Sequence, residues 1–281
     1  MSGTRPELIA PPEVIYDEIE ANKYTYNNHI IDTQQRLTER AIELLNLNES
    51  EGPQLILDLG CGSGLSGDVL TQHDHMWVGL DISKDMLNVA VENDCLGDTF
   101  LHDIGHGLSF RIGSFDAAIS VSVLQWLCNA DKTNANPFKR LKVFFRTLYR
   151  VLRKGSRAVF QFYPENPKQT KMITEAALKN GFSGGVVIDY PNSSRAKKYY
   201  LVIFAGVPDV QLPQARTEGD IYSHSVTNIE REHFKDRNTF KPKNRKPIKG
   251  SKEWVVQKKE YLRSRGKRVR LDSKYTARRR R

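Results

Sequence analysis

The chain has 281 residues, 39% of them hydrophobic and 27% charged, a balance that suits a globular protein with a sizeable core. No run approaches the roughly 18–20 consecutive apolar residues of a membrane span, and residues 1–12 hold no apolar stretch of signal-peptide type, so neither a membrane nor a secreted protein is expected. The formal net charge of +10 is unevenly spread: residues 1–206 hold 21 Lys+Arg and 24 Asp+Glu, and residues 207–281 hold 22 and 9.

In chain order, 13–46 is helical in composition, with Ile30, Leu37, Ile42 and Leu45 as its apolar stripe. Short apolar runs bounded by turn residues predict strands at 54–59, 76–80, 99–101, 115–122, 157–162, 185–189 and 199–204. Helical stretches are predicted between them at 65–72, 83–93, 137–152 and 167–179. Such alternation predicts an α/β fold, a seven-stranded, mostly parallel sheet with helices on both faces and a final antiparallel pair at one edge. After 207 the apolar periodicity fades and an irregular tail is expected, with one short helix at 254–262. The chain therefore divides into an N-terminal helical segment (1–50), a sheet domain (51–206) and a basic tail (207–281).

The sharpest local signal is Leu57-Asp58-Leu59-Gly60-Cys61-Gly62-Ser63-Gly64, a strand running into a glycine turn and then a helix. Glycine lets the chain turn tightly and lets a ligand approach its backbone N–H groups. Gly62, Gly64 and Gly67 also have the spacing of the dinucleotide fingerprint, so a nicotinamide cofactor has to be weighed. Its placement counts against that reading: Gly60 already opens the turn, and the third glycine position counted from it falls on Leu65. Asp58, at the strand end, would repel a pyrophosphate and suits a cationic ligand.

Asp81 closes the next strand, about 20 residues beyond Asp58, the spacing at which a strand-end acid reaches ribose hydroxyls. Asp103, in His102-Asp103-Ile104, follows the third strand, where it can accept a hydrogen bond from an exocyclic adenine amine. Singly, each aspartate reads as readily as a helix cap or loop residue. Together, at successive β-to-α junctions of one sheet, they point to a nucleoside-containing ligand.

These motifs, with Ser114-Phe115-Asp116-Ala117-Ala118-Ile119-Ser120, resemble those of the class I S-adenosylmethionine-dependent methyltransferases over about residues 50–165. The resemblance implies a Rossmann-like sheet and S-adenosyl-L-methionine as cofactor. It assigns the methionine part to Gly60, Gly62 and Gly64, the ribose to Asp81, and the adenine to Asp103 with Ile104. It also brings Asp58, Ile82, Ser120, Gln125 and Tyr24 into the cofactor site. Further blocks are similar to the eukaryotic 18S ribosomal RNA guanine-N7 methyltransferases of small-subunit assembly. They are Tyr16-Asp17-Glu18 with Lys23-Tyr24, Ser122 through Asn129, Gln161 through Asn166, Gly181 through Gly185, and Asp189-Tyr190-Pro191-Asn192. This likeness implies 18S rRNA in a pre-40S particle as substrate and a nuclear location extending to the cytoplasm. It also implies a small zinc-binding activator subunit against the sheet edge.

Guanine N7 carries a lone pair and no proton at neutral pH, so methylating it requires no base. In-line positioning and exclusion of water suffice. The lack of an obvious His/Asp or Cys/His dyad is compatible with this, and no catalytic residue or metal ligand is assigned. Trp126 and Tyr163 are the candidates to stack on an extruded guanine, and Glu165 or Asn166 to read its N1/N2 edge. Trp126 reads equally as a core aromatic, Tyr163-Pro164 also as a rigid turn, and Tyr16 and Tyr24 as helix packing or as a lid. Cys61 and Cys128 read as packing residues. Lys142, Arg146, Arg150 and Arg153 form a basic stripe, first a solvated face and second an RNA contact.

From 235 to 281 there are 20 Lys+Arg against 4 Asp+Glu, in clusters that suit RNA phosphates and nuclear import, with Trp254 and Tyr261 interleaved. Two rival readings stay open: a methyltransferase for a protein or small molecule, and an assembly factor whose binding outweighs its catalysis.

Overall fold

The computed structural model describes residues 5–48, 52–129, 136–193, 196–207, 210–217 and 224–225, together with 255–256, 258–259 and 263. The chain separates into two compact units, Met1–Glu230 and Arg231–Arg281. In the second unit the described residues are helical and fall within or beside the expected 254–262 helix; the basic clusters, Trp254 and Tyr261 lie outside the described residues.

In place of one continuous N-terminal helix there are three: α1 (Pro12–Ile15), α2 (Glu18–Thr25) and α3 (Asn28–Leu45). The breaks fall at Asp17, whose carboxylate accepts from the N–H of Glu20, and at Asn27, whose amide oxygen accepts from His29 and Ile30. Short polar side chains that satisfy the first free N–H groups restart a helix there.

Five strands run parallel: β1 (Leu55–Leu59), β2 (Met76–Asp81), β3 (Asp98–Leu101), β4 (Phe115–Val121) and β5 (Leu152–Phe162). β6 (Phe182–Asp189) and β7 (Lys198–Ala205) complete the sheet in the order β3-β2-β1-β4-β5-β7-β6, with β7 antiparallel to both of its neighbours. The connecting helices are α4 (Leu65–Gln72), α5 (Lys84–Glu92), α6 (Pro137–Val151) and α7 (Pro167–Lys179). β5 starts five residues before the expected 157, because Leu152 pairs with Phe115 ahead of a register shift.

Alternating strand residues feed two cores. On one face Phe144, Phe145 and Leu148 of α6 pack with Phe160, Phe162 and Phe182. On the other, Leu37, Ala41, Leu44 and Leu45 of α3 pack with Ile56, Ile119, Val159 and Val202. The third helix of the N-terminal segment is thus a core layer rather than a lid.

The first part of the expected 207–281 tail returns to the body instead. Ala215 is fully buried, and Val210 and Leu212 pack against the α3 side of the core. The Arg40 guanidinium donates to both oxygens of buried Asp189, at 2.9 and 3.2 Å, and to the Gln214 carbonyl at 2.9 Å. The Arg216 N–H donates to the same carboxylate at 2.8 Å. Ala215–Arg216 (β8) then pairs with His224–Ser225 (β9). A buried acid that needs donors holds this segment down.

Candidate active site

β1 lies between β2 and β4, at the point where the strand order reverses, which is where open α/β sheets bind ligands. The cleft there encloses about 880 Å³, its open mouth included. Its walls are the turn Gly60–Ser63, the ends of β2 and β4, the 102–104 loop and residues of the N-terminal segment.

Gly60 and Gly62 have φ of +81° and +55°, and neither can carry a side chain. A Cβ at Gly60 would stand 2.2 Å from Val123 Cγ2, and one at Gly62 would stand 2.8 Å from Met86 Cε. Four N–H groups of this turn are spent within the protein, contrary to expectation. Gly60 and Cys61 donate to the Leu80 carbonyl, Gly64 to the Cys61 carbonyl, and Gly62 to Asp81 Oδ2 at 2.8 Å. These bonds leave Gly60, Cys61, Gly62 and Gly64 no free N–H for an anion, and the turn's contribution at Gly60 and Gly62 is close approach. Gly67 serves packing instead: a Cβ there would meet the Trp77 ring at 2.1 Å.

Asp81 Oδ1 accepts from the Ser83 N–H at 2.8 Å. Each of its oxygens thus keeps lone-pair capacity for a hydroxyl. Burial lifts its carboxyl above the ordinary range, opposed by the N–H groups of Ser83, Gly62 and Ile82. Asp58, expected in the cofactor site, is fully buried and does not line the cleft. Its Oδ2 accepts from Ser66 Oγ at 2.5 Å, while Oδ1 and the nearby Ser63 Oγ have no partner. Burial pushes Asp58 up to about 7, with nearby Asp81 adding to the effect and Ser66 opposing it. A buried carboxylate with one bare oxygen favours a positive charge close by.

Asp103 caps the turn that follows it, accepting from Gly105 N–H, and it is also paired with Arg140 at 2.9 Å. Gly105 makes room for that pairing, since a Cβ there would stand 2.4 Å from the guanidinium. Ile82 and Ile104 supply apolar wall between the acids.

The N-terminal segment covers the cleft. Pro12, Tyr16, Tyr24 and Gln34 line it, and the Tyr16 carbonyl accepts from Ser83 Oγ at 2.8 Å. Tyr16 meets Tyr24 and Trp126 edge-to-face, at 5.7 and 6.0 Å between ring centres. Burial pushes the Tyr16 phenol up to about 12 and Tyr24 further in the same direction, so both hydroxyls keep their protons. Trp126 is 7% exposed and lines the cleft.

Several expected contacts are not brought together. Ser120 turns inward and donates to the Leu59 carbonyl at 2.5 Å, joining β4 to β1. Gln125 is buried and donates to the Ser122 carbonyl at 2.7 Å, which positions the Leu124–Cys128 turn rather than a ligand. Gly64 has φ +90° and faces Cys95 and Ala90. Tyr163, Glu165 and Asn166 do not line the cleft. Tyr163 sits beside the Lys198 ammonium, 5.6 Å from its ring centre. Asn166 caps α7, accepting from the Gln169 N–H at 3.0 Å, and the Glu165 N–H donates to Gln169 at 2.9 Å. Residues missed by sequence reasoning include Arg140, Met86 and Ser122. Ser122 holds φ +64° at the end of β4, and its hydroxyl donates to Gln161 at 2.9 Å. No sequence signal marks that strained position. Cys61 and Cys128 are buried and free, and burial pushes both thiols up, Cys128 to about 12.

The donor set fits S-adenosylmethionine. Asp81 offers acceptors to a ribose, Ile82 and Ile104 an apolar slot, and Asp58, buried outside the lining, a negative bias that favours positive charge in the cleft. A methyltransferase-domain model matches residues 57–160, so fold and cleft together are those of the methyltransferase class. Among solved structures, magnesium protoporphyrin IX methyltransferase from Synechocystis with bound SAM shares the fold. It has a TM-score of 0.52 at 17% identity, covering 73% of this chain and 99% of that one. A second model, described as the methyltransferase involved in Williams-Beuren syndrome, matches residues 203–281. Over 280 residues the chain is 50% identical to the mouse 18S rRNA (guanine-N(7))-methyltransferase, covering 98% of this chain and 96% of the relative. It is 48% identical to the probable Dictyostelium discoideum enzyme of that name (99% and 98% covered) and 45% identical to the Saccharomyces cerevisiae 18S rRNA (guanine(1575)-N(7))-methyltransferase (99% and 98%). The chain belongs to the 18S rRNA (guanine-N7)-methyltransferase family.

Proposed function

We propose that this chain is an S-adenosylmethionine-dependent enzyme that methylates N7 of a guanine in 18S rRNA, in a pre-40S particle during small-subunit assembly. The observation that carries the reading is one cleft, in a chain of this family, that joins the glycine turn to Asp81 and Asp103 at successive strand ends. The cofactor supplies a methyl group activated by its sulfonium. Asp81 fixes the ribose, Ile82 and Ile104 flank the adenine, and the buried Asp58 faces the positive charge. Asp103 reaches the adenine edge while Arg140 holds its carboxylate. Tyr16 and Tyr24 close the N-terminal cover and keep water out. Trp126 offers a face to the guanine. N7 needs no proton removed, so orientation and dryness are what these residues contribute.

The same proposal includes a small zinc-binding activator on the edge strand β3. Phe100 and Leu101 are 50% and 58% exposed there, and Met76 at the start of β2 is 58% exposed. An exposed strand edge with large apolar side chains is a surface that pairing would cover. Nuclear residence follows from the basic clusters of the tail. Transfer of tritiated methyl to pre-ribosomal RNA, followed by mapping of the modified base, tests the activity. The expected product is a single N7-methylguanine, lost in Asp81→Ala. Label in protein or metabolites but not in RNA would refute the reading.

A further inference from the structure

The basic residues of 1–206 are densest in one window. Residues 132–164 hold nine Lys+Arg and no Asp or Glu, and the rest of 1–206 holds 12 Lys+Arg against 24 Asp+Glu. The described part of that window is dominated by α6, which has no acidic residue in its fifteen positions. Its inner face is consumed by Leu141, Phe144, Phe145, Leu148 and Val151. Lys139, Lys142, Arg146 and Arg150 all lie on the opposite, exposed face.

Lys142, Arg146 and Arg150 follow one another at four-residue steps, each about 6 Å along the axis. Like charges at that spacing repel and weaken a helix unless something neutralises them. Elsewhere the protein neutralises its lysines locally: on α7, Lys171 and Lys179 both pair with Glu175, at 3.7 and 3.2 Å. On the outer face of α6, among the described residues, no acid stands against Lys139, Lys142, Arg146 or Arg150; the ion pair of this helix, Arg140 with Asp103, lies at the cleft. The row starts beside the cleft. Arg140, in the first turn of α6, lines the cleft, and Phe138, one turn before Lys142, is 70% exposed. A membrane surface is a poor match, because the outer face has this one apolar side chain and no continuous apolar band.

We infer that the outer face of α6 is a phosphate track for RNA. It would hold the strand that flanks the target guanine through Lys139, Lys142, Arg146 and Arg150, with Phe138 as a stacking platform at the cleft end. The inference rests on the RNA methyltransferase reading above and adds the path by which RNA reaches the cleft. Phosphate contacts of this kind set register and affinity without reading sequence.

The test compares the full-length chain with the K142E/R146E/R150E triple variant and with K168E/K171E/K179E on α7, which makes the same change in net charge. The probe is in vitro transcribed 18S rRNA. Its affinity is measured across salt concentrations, alongside S-adenosylmethionine affinity and methylation kinetics. The α6 variant is expected to bind RNA at least tenfold more weakly and to lower the salt slope by about two, at roughly 0.7 per phosphate lost. Its KM for RNA rises while kcat and cofactor affinity hold. A K142Q/R146Q/R150Q variant shows the same pattern at smaller amplitude. An α6 variant with unchanged RNA affinity, salt slope and KM overturns the track and leaves the methyltransferase reading intact. Equal losses in the α7 variant overturn it as a general charge effect. Loss of an acidic protein partner with RNA binding unchanged overturns it in favour of that partner. A parent chain that binds the cofactor but neither binds nor methylates RNA overturns both readings.

Discussion

Asp58 makes the affinity for a cationic cofactor depend on pH in a way its surroundings define. In the free protein its carboxyl titrates near about 7, against 3.8 in an unfolded chain, because burial opposes its charge. A cation docked over the glycine turn favours the ionised form, so binding at lower pH must first expel a proton. With a free pKa of about 7, the affinity at pH 5.5 is about 25-fold below that at pH 7.5, or about 2 kcal/mol. At pH 6 about 0.9 proton leaves per cofactor bound. Calorimetric titration with S-adenosylmethionine, in two buffers of different ionisation heat, reads both numbers. Asp58→Asn is expected to flatten the profile between pH 5.5 and 7.5, whatever its absolute affinity. The sign for the fold itself is the reverse of that for binding. A raised carboxyl keeps its proton when folded, so the free protein loses stability as pH rises from about 4 to about 7, and the cofactor restores part of it. Equal affinity at both pH values, with no proton released, would refute the reasoning.

Other outcomes follow from single contacts. Gly60→Ala drives a methyl group into Val123 at a positive φ, so it should abolish cofactor binding and cost about 1–3 kcal/mol, read as a fall in Tm by scanning calorimetry; a normal Tm with normal binding would show that the turn yields. Arg40→Ala leaves the 2%-exposed Asp189 without its ionic partner and should cost about 3–5 kcal/mol in denaturant unfolding. A loss below about 1 kcal/mol would mean that the Arg216 N–H and water suffice. Phe100→Glu with Leu101→Glu, both exposed on the edge strand, should leave cofactor affinity unchanged and prevent co-purification of a small zinc-binding activator. A heterodimer that survives would place the partner elsewhere.

The parallel sheet was legible because buried strands advertise themselves: Leu55–Leu59 and Phe115–Val121 are apolar runs whose length excludes a helix. Asp81 was legible because strand-end position and spacing alone put it at the switch point. What stayed hidden depends on partners distant in sequence. The hydroxyl of Ser120 turns to a carbonyl 61 residues earlier, and the side chain of Gln125 turns back to Ser122, so neither meets the cleft although both lie in matching motifs. Asn166 sits in a segment that reads as a substrate loop, yet the free N–H groups of α7 claim its side chain. Segment 210–217 looked irregular because its hold on the body is a few scattered apolar side chains and the buried carboxylate of Asp189, which leave no periodic trace. Arg140 read as one charge on a basic helix, and only the fold brings it to Asp103.

Trp77 carries a consequence of its own. Gly67 of α4, Gly79 of β2 and Gly97 before β3 would each place a Cβ within 2.1–2.8 Å of its ring. Gly67 and Gly97 are thus held small by one large neighbour, which at Gly79 acts together with Cys61, and the glycine pattern that imitates a dinucleotide motif is in part the imprint of an indole. Freedom at these sites is conditional. A smaller residue at 77 would open room for alanine at 67 or 97, so paired changes should be tolerated where single ones are not, and the motif can drift in sequence without the cleft changing shape.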